Sequence, residues 1–296
     1  MASLISRFLT RPAYLKMRMA GYLGLLFVLA SWAVGDLSIF ARGLGIVALY
    51  VVADVAWAFL KDRTWYLPTS SVISGFIIAL VLNPQSSLFV LSIVPLFAVV
   101  SKHLIHIGFH RHVFNPAAFG LIAAAAVSSF LSSSLLSVNV ISWWGVSFNS
   151  FTPLARVLGD FSSFATLPLW LAVAGAFIIT SVRRWHVVFA FLAAHTALSA
   201  FSFVGAHVAW IDLPFVLKAL LWDSTILFFV TVMLIEPMTS QFPKRWHRMS
   251  YAAGAGVGAW ALGQTTIAGV FFDPLLGGLL LANMGTALLF LKRARQ

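Results

Sequence analysis

Apolar stretches of about the length of a membrane span follow one another along this whole chain, and each is bounded by charge, proline or glycine. A helix needs roughly 20 apolar residues to cross the hydrocarbon core of a bilayer, and ten such stretches fill the 296 residues. Only 9% of the residues are charged, whereas a soluble domain typically has ~25%. The pattern predicts an all-α polytopic membrane protein with no separate soluble domain.

The predicted helices fall into two groups of five. Their approximate bounds are 20–36, 43–60, 69–82, 88–101, 116–133, 166–182, 187–205, 213–235, 249–267 and 274–291. The chain then divides into a basic N-terminus (1–19), a first five-helix unit (20–133), a loop (134–165), a second five-helix unit (166–291) and a short tail (292–296).

The distribution of basic residues predicts the orientation. If the N-terminus is cytoplasmic, 16 of the 19 Lys and Arg residues fall on the cytoplasmic side, and only Arg42 and Arg156 lie outside. The positive-inside rule therefore favours both termini in the cytoplasm of a bacterium, with the loop on the outer side of its inner membrane. The same distribution explains the net charge of +11 without a nucleic-acid partner. Because the chain has no Cys, it holds no cysteine-ligated iron–sulfur cluster.

Two segments recur at a nearly constant separation, which indicates an internal repeat. Ser71–Phe76, which leads to Asn83-Pro84, matches Ser224–Phe229, which leads to Glu236-Pro237, and the two copies are 153 residues apart. Phe114-Asn115-Pro116 matches Phe272-Asp273-Pro274, and these copies are 158 residues apart. Because five helices separate the copies, the second copy runs in the opposite sense. We therefore predict two inverted five-helix repeats.

The third and eighth predicted helices form a matched pair, and each ends in an acidic or amide residue followed by proline. Short or proline-interrupted spans at corresponding places in inverted repeats indicate a binding site near the bilayer midplane. The alternative is that both are ordinary short helices that end at interfacial turns.

Three ionisable residues are predicted to lie at membrane depth, namely Asp54, His195 and Asp223. Charge is costly there, so each is a candidate for a proton or cation path. Equally, the three side chains could be hydrogen-bonded packing residues between helices.

Several histidines cluster before the fifth helix. His103, His106 and His110 could share one helical face at a spacing compatible with metal ligation. No carboxylate or thiol accompanies them, and a basic patch that faces lipid head groups explains the same residues. We expect no metal here.

These segments resemble the NqrB/RnfD family, the membrane flavin subunits of the sodium-pumping NADH:quinone oxidoreductase and of the Rnf electron-transport complex. The similar segments are Arg111–Gly120 around Asn115-Pro116, Glu236–Ser240, and Leu280–Met284 with Asn283. Ten helices, inverted repeats and a long outer loop also agree with that family.

The resemblance implies a flavin within the helix bundle, held non-covalently as riboflavin or FMN, and a second FMN esterified to a Thr of the outer loop. Asn115, His112, Asn83, Glu236 and Asp273 would form the polar lining of the bundle site. In the loop, Thr152 matches the acceptor Thr. The residues before it depart from the motif, with Val146 in place of its Asp and Phe151 in place of its Ala. We therefore expect no covalent FMN.

The resemblance thus implies a flavin-linked electron-transport component coupled to ion translocation, without a complete activity of its own. It would work with other membrane or periplasmic redox subunits within the lipid bilayer. The alternatives are a transporter for a flavin-like small molecule and a non-catalytic membrane subunit on the same scaffold.

Overall fold

The computed structural model describes residues 12–63, 65–107, 111–131, 140–146, 167–236, 242, 244–265 and 272–294. Within these ranges the chain is helical, apart from one small hairpin. The helices are α1 (Pro12–Val34), α2 (Leu37–Asp62), α3 (Thr69–Val81), α4 (Leu88–Leu104), α5 (Pro116–Leu131), α6 (Leu167–Val182), α7 (Trp185–Gly205), α8 (Leu213–Leu221), α9 (Ser224–Phe228), α10 (Arg245–Gly263) and α11 (Pro274–Ala294).

The predicted helical fold is confirmed, because a helix overlaps each of the predicted spans, with α8 and α9 together covering the eighth. By length and apolar composition, three of the described helices could each cross a membrane alone: α1, α2 and α7. The pair α8–α9 adds a fourth if its 45° bend is counted within one span. These apolar helices support a membrane protein; the number of crossings and the inverted repeat remain predictions.

The bounds of the short helices follow from local residue chemistry. α3 ends before Asn83-Pro84, because proline cannot donate to the helical ladder. α5 and α11 begin in the same way, each with proline at its first position after a capping side chain. Asn115 Oδ1 accepts from Ala118 N at 3.1 Å, and Asp273 Oδ1 accepts from Leu276 N at 2.8 Å. The repeated motifs are therefore matched helix starts.

The packing of helices also recurs between the two halves. In the first half, α3 packs against α1, α2 and α5, while α4 packs against α2 and α5. In the second half, α9 packs against α6, and α10 packs against α7 and α11. The halves meet where α5 contacts α11. The buried core runs through both halves, and its largest fully buried aromatic side chains are Phe27, Tyr50, Phe191, Phe228 and Phe229.

Part of the predicted outer loop, residues 140–146, pairs with the end of α3. Leu82 and Ile141 form an antiparallel bridge, Asn83 N donates to the Val140 carbonyl at 2.9 Å, and Gly145 N donates to the Leu80 carbonyl at 3.0 Å. The segment thereby satisfies backbone groups that the helix end leaves open. We call residues 140–146 the clasp.

Helix α9 departs from regular geometry. After one α-helical turn it continues as a π-helix over Phe229–Met233, and all of this stretch is buried. π-helical segments are rare and often mark functional positions. Its counterpart α3 is a continuous α-helix, so the two helices of the predicted matched pair differ in backbone geometry.

Candidate functional site

A buried carboxylate in α2 binds four donors from three other parts of the chain. Asp54 is fully buried, and its oxygens lie 2.7 Å from Lys102 Nζ and 2.7 Å from His103 Nε2. The hydroxyls of Tyr66 and Ser71 donate to the same carboxylate. We call these five residues the Asp54 cluster. It joins α2, the α2–α3 connection, the first turn of α3 and the end of α4.

Further contacts hold the cluster in place. Lys102 Nζ also lies 3.2 Å from Ser71 Oγ, and it faces the Tyr66 ring at 5.8 Å from the ring centroid. The His103 ring stacks on Trp57 with centroids 5.6 Å apart. Burial and the hydrogen bond to Asp54 raise the pKa of the Tyr66 hydroxyl, which keeps it a donor. The Asp54 carboxylate therefore contacts both a positively charged group and neutral hydrogen-bond donors.

Removing two charges from water can cost more than their attraction returns, so a buried ion pair by itself is weak evidence of added stability. Ionisable residues at membrane depth are candidates for function. The cluster combines a carboxylate, an imidazole and an ammonium group, which are groups that bind and release protons. The cluster therefore stays a candidate for the proton or cation path that the sequence predicts.

A second feature is a cavity of about 510 Å³ between the two halves, lined by α1, α3, α6 and the π-helical segment. Ligand cavities are typically ~300–1,000 Å³ and mostly apolar with a few polar groups. Five polar residues of the lining lie near one end of their helices, on the predicted inner side: Lys16, Arg18, Ser70, Ser181 and Glu236. A sixth, Tyr22, lies half-way along α1.

The Tyr22 hydroxyl makes the cavity a candidate ligand site. Its oxygen is buried and has no hydrogen-bond partner among the described residues. A buried hydroxyl without a partner costs about 1–3 kcal/mol, so a ligand acceptor or donor at this point would be stabilised. Arg18 borders the same space, with its guanidinium carbon 6.0 Å from the Phe177 ring centroid.

The structure places the predicted flavin residues in different parts of the bundle. Glu236 lines the cavity. Asn115 is buried at the start of α5, and its Nδ2 has no hydrogen-bond partner in the described chain. His112 lies on the hairpin between α4 and α5. Burial and the nearby Lys102 charge lower the pKa of His112 to about 4, so it is neutral at pH 7.

The other predicted flavin residues lie near the clasp. Asn83 forms a turn, with its Oδ1 accepting from Gln85 N at 2.9 Å. Asp273 accepts from Trp143 Nε1 at 2.6 Å, which joins the second half to the clasp. Thr152 lies outside the described residues. The 510 Å³ cavity is not lined by Asn115, His112, Asn83 or Asp273.

The three candidates for an ion path are separated. Asp223 is exposed at the α8–α9 bend, where its Oδ1 accepts from Thr225 N and Ile226 N and caps α9. His195 stacks on Phe191 in α7, with ring centroids 5.5 Å apart. Asp54 alone belongs to a cluster of ionisable groups, together with Lys102 and His103.

The expectation of a shared helical face for His103, His106 and His110 is wrong in part. α4 ends at Leu104, and His106 pairs with His112 across a two-stranded hairpin. His110 lies outside the described residues. No group of three potential metal ligands occurs in the described ranges.

Sequence reasoning missed the partnership of Asp54 with Lys102, 48 residues away, and the role of Trp143 in the clasp. Lys102 and His103 both stand in the histidine-rich segment. The signals available in the sequence were therefore an acidic residue within a predicted span and basic residues at the end of another predicted helix. No protein-family model matches the chain, and no curated protein matches it.

Proposed function

We propose that this chain is a multi-pass protein of the bacterial inner membrane that binds a flavin and takes part in electron transport. Ten helices would cross the membrane as two inverted five-helix repeats, with both termini in the cytoplasm. The recurring packing supports the repeat, because α1–α3, α2–α4 and α4–α5 in one half correspond to α6–α9, α7–α10 and α10–α11 in the other.

The observation that carries the proposal is the cavity between the halves. Its volume suits a ring system of flavin size, and its deep walls are aliphatic side chains such as Ile73, Ile77 and Val173. The unsatisfied Tyr22 hydroxyl, Arg18 and Glu236 supply the polar groups. These residues therefore fit a flat amphipathic cofactor.

A flavin held there would supply one- and two-electron transfer, and the protein would supply position and electrostatics. Arg18 and Lys16 would attract negative charge on the bound molecule. The apolar walls would exclude water from its ring. The basic N-terminal part of α1 thus has a role beyond orientation of the chain.

The Asp54 cluster supports a link to proton or cation movement. Tyr50 lies one turn before Asp54 in α2, is fully buried, and is within electrostatic range of both Asp54 and Glu236. Ser74 approaches the Tyr50 hydroxyl without a well-aligned hydrogen bond. Polar groups therefore extend from the cluster toward the cavity. On this basis we assign the coupling role to Asp54.

Purification of the full-length protein tests the proposal. We expect a yellow protein whose colour bleaches reversibly with dithionite and whose extracted flavin is identified by mass spectrometry. Tyr22→Phe should weaken flavin retention about fivefold, the effect of one hydrogen bond of ~1 kcal/mol. Ser31→Ala is the matched control, since that buried hydroxyl on the same helix also has no hydrogen-bond partner in the described chain and does not line the cavity. A colourless protein, or equal retention in both variants, would contradict the proposal.

We expect the flavin to be non-covalent. Val146, which stands where the esterification motif has its acid, is fully buried at the end of the clasp. An ester-linked FMN survives denaturation, so a denaturing gel under ultraviolet light checks this directly. A fluorescent band from wild type that is lost in Thr152→Ala would overturn the expectation.

A second candidate function is a transporter for a flavin-like solute. The 45° bend between α8 and α9 and the buried π-helical segment favour it, because discontinuous helices often form the substrate sites of transporters. Val232 and Ile235 near that segment line the cavity. Uptake of riboflavin into proteoliposomes by a protein without bound flavin would favour this function over electron transfer. Partner redox subunits are expected only if the protein takes part in electron transport, and not if it is a transporter.

A further inference from the structure

The Asp54 cluster and the 510 Å³ cavity are neighbours, and Ser70 lies at the boundary between them. Ser70 lines the cavity from the first turn of α3, and its Oγ lies 3.5 Å from Lys102 Nζ, at the length of a long hydrogen bond. The next residue, Ser71, donates to the Asp54 carboxylate. One serine and one lysine side chain therefore connect the cavity with the buried carboxylate.

Each hydrogen bond that the described chain makes to the Asp54 carboxylate comes from a side-chain donor. Lys102 supplies an ammonium N–H, and Tyr66 and Ser71 supply hydroxyl groups. His103 approaches with Nε2 at 2.7 Å, and this nitrogen carries the hydrogen because an ionised carboxylate can only accept. The carboxylate is thus surrounded by exchangeable protons.

This set of donors does not suit a metal cation. Hard cations are held by several oxygen ligands, and the sodium sites of transporters use carbonyls of unwound helices. Here α2 continues unbroken from Leu37 to Asp62, so the carbonyls around Asp54 accept within the helix. The Lys102 ammonium, 2.7 Å from the carboxylate, already stands where a cation would bind.

The other ionisable groups near Asp54 are less suited to proton exchange. His112 on the hairpin is within electrostatic range of Asp54, Lys102 and His103, but it is neutral at pH 7. Tyr50 and Tyr66 contribute hydroxyl groups, which are weak acids. Lys102 and His103 remain as the basic groups of the cluster. Of these two, Lys102 contacts Ser70, whereas the His103 ring stacks on Trp57.

We propose that the cation handled by the Asp54 cluster is the proton rather than a metal cation, and that Lys102 passes it into the cavity through Ser70. This inference rests on the proposed function, in which the cavity holds a flavin that a reduced partner protein supplies with electrons. The Lys102 ammonium loses one proton to Ser70 Oγ, and the Ser70 hydroxyl gives its own proton to the reduced flavin. Lys102 is then neutral, and a proton from the aqueous side restores its charge.

Reduction of the purified full-length protein by dithionite tests this path. Ser70→Ala should slow flavin bleaching about a hundredfold at unchanged flavin content, the lower end of what a positioned proton donor contributes. Ser70→Thr keeps the hydroxyl and should restore the rate. Ser181→Ala is the matched control, because Ser181 also lines the cavity but its Oγ donates to the Phe177 carbonyl at 2.8 Å. Bleaching of Ser70→Ala at the wild-type rate would overturn the path and leave the flavin proposal intact.

Lys102→Arg separates the role of the proton from that of the charge. Arginine keeps a positive charge beside Asp54, but it does not release a proton in proteins. We therefore expect reduction as slow as in Ser70→Ala, with flavin content and unfolding temperature close to those of wild type. Fast reduction in Lys102→Arg would show that Lys102 is only a counter-charge, against the proposal.

Thermal unfolding in detergent identifies the cation without any flavin. We expect equal unfolding temperatures in sodium, potassium and choline chloride at the same ionic strength, because the cluster binds no metal cation. A ligand that binds the folded state raises the unfolding temperature. A rise specific to sodium chloride that is lost in Asp54→Asn would therefore overturn the proposal. A colourless protein would contradict the flavin assignment, and this comparison would still decide between the proton and a metal cation.

Discussion

The corresponding helix pairs of the two halves are held together in different ways. In the first half, α2 and α4 are joined by the charged Asp54 cluster, with Lys102 and His103 each 2.7 Å from the carboxylate. In the second half, α7 and α10 approach so closely that a Cβ at Gly256 would lie 2.9 Å from the Phe191 carbonyl oxygen. There a neutral hydrogen bond, Trp260 Nε1 to Ser202 Oγ at 2.7 Å, crosses the pair.

The comparison shows that this scaffold can pack the same helix pair without buried charge. Close backbone approach and one neutral hydrogen bond suffice for α7 and α10, as is common between membrane helices. Among the described residues, the ion pair between α2 and α4 has no counterpart between α7 and α10. We therefore expect the two halves to respond differently to substitution.

The largest effect should come from breaking the charged pair. Asp54→Asn leaves Lys102 buried without its counter-charge, and we expect a loss of about 3–5 kcal/mol in the free energy of unfolding. Denaturant unfolding in detergent measures it. The double variant Asp54→Asn with Lys102→Met should recover most of the loss, because no unpaired charge remains. An equally unstable double variant would show that the pair is needed for packing after all.

The next effect concerns the pH dependence that His112 gives to the first half. Folded His112 stays neutral down to about pH 4, whereas the unfolded chain takes up that proton near its ordinary pKa of 6.5. The unfolded state therefore binds more protons between these values, and stability falls as the pH drops from 6.5 towards 4. The slope should approach ~1.4 kcal/mol per pH unit. His112→Gln should flatten it in this window. An unchanged slope in the variant would assign the pH dependence to other groups.

A smaller effect is expected at the close approach in the second half. Gly256→Ala places a methyl group against the Phe191 carbonyl and should cost about 1–3 kcal/mol by overpacking. Gly254→Ala, two residues earlier on α10, meets open space and serves as the control. Thermal unfolding of both variants measures the difference in stability. Similar unfolding temperatures for the pair would mean that α7 and α10 can separate without cost.

The smallest effect should come from the neutral hydrogen bond. Trp260→Phe keeps an aromatic ring but removes the donor to Ser202, at a cost of about 0.5–1.5 kcal/mol. Adding Ser202→Ala should cost little more, since the hydroxyl has already lost this donor. A loss as large as that of Asp54→Asn would erase the contrast between the halves.

The sequence predicted the helices well because their positions depend on local chemistry. Apolar length, flanking charge and proline locate each helix without knowledge of its neighbours, and the bounds of α3 differ by one residue from the prediction. The repeated Asn-Pro and Asp-Pro pairs were recognisable for the same reason. Each supplies a capping oxygen and a proline at the first helical position.

The candidate sites were harder to predict because they depend on contacts between distant segments. Asp54 was identified as costly at its depth, but its partner Lys102 could be chosen only once α2 and α4 were packed together. Arg18 counted only as one of the basic residues that orient the chain, and nothing in the sequence singled out Tyr22. Their place beside a cavity depends on how α1 meets α6, which no pattern within one helix encodes.

The clasp has a mechanical consequence for the whole bundle. Through Leu82 it is paired with α3, and through Trp143 it is bonded to Asp273 at the start of α11. Trp143 holds a left-handed backbone, with φ of 52°, to make these contacts. The two halves are thus tied at one end, while the 510 Å³ cavity lies beside the opposite end of α3. Any relative motion of the halves would then pivot at the tied end, and the opposite end, which is the predicted cytoplasmic side, would open.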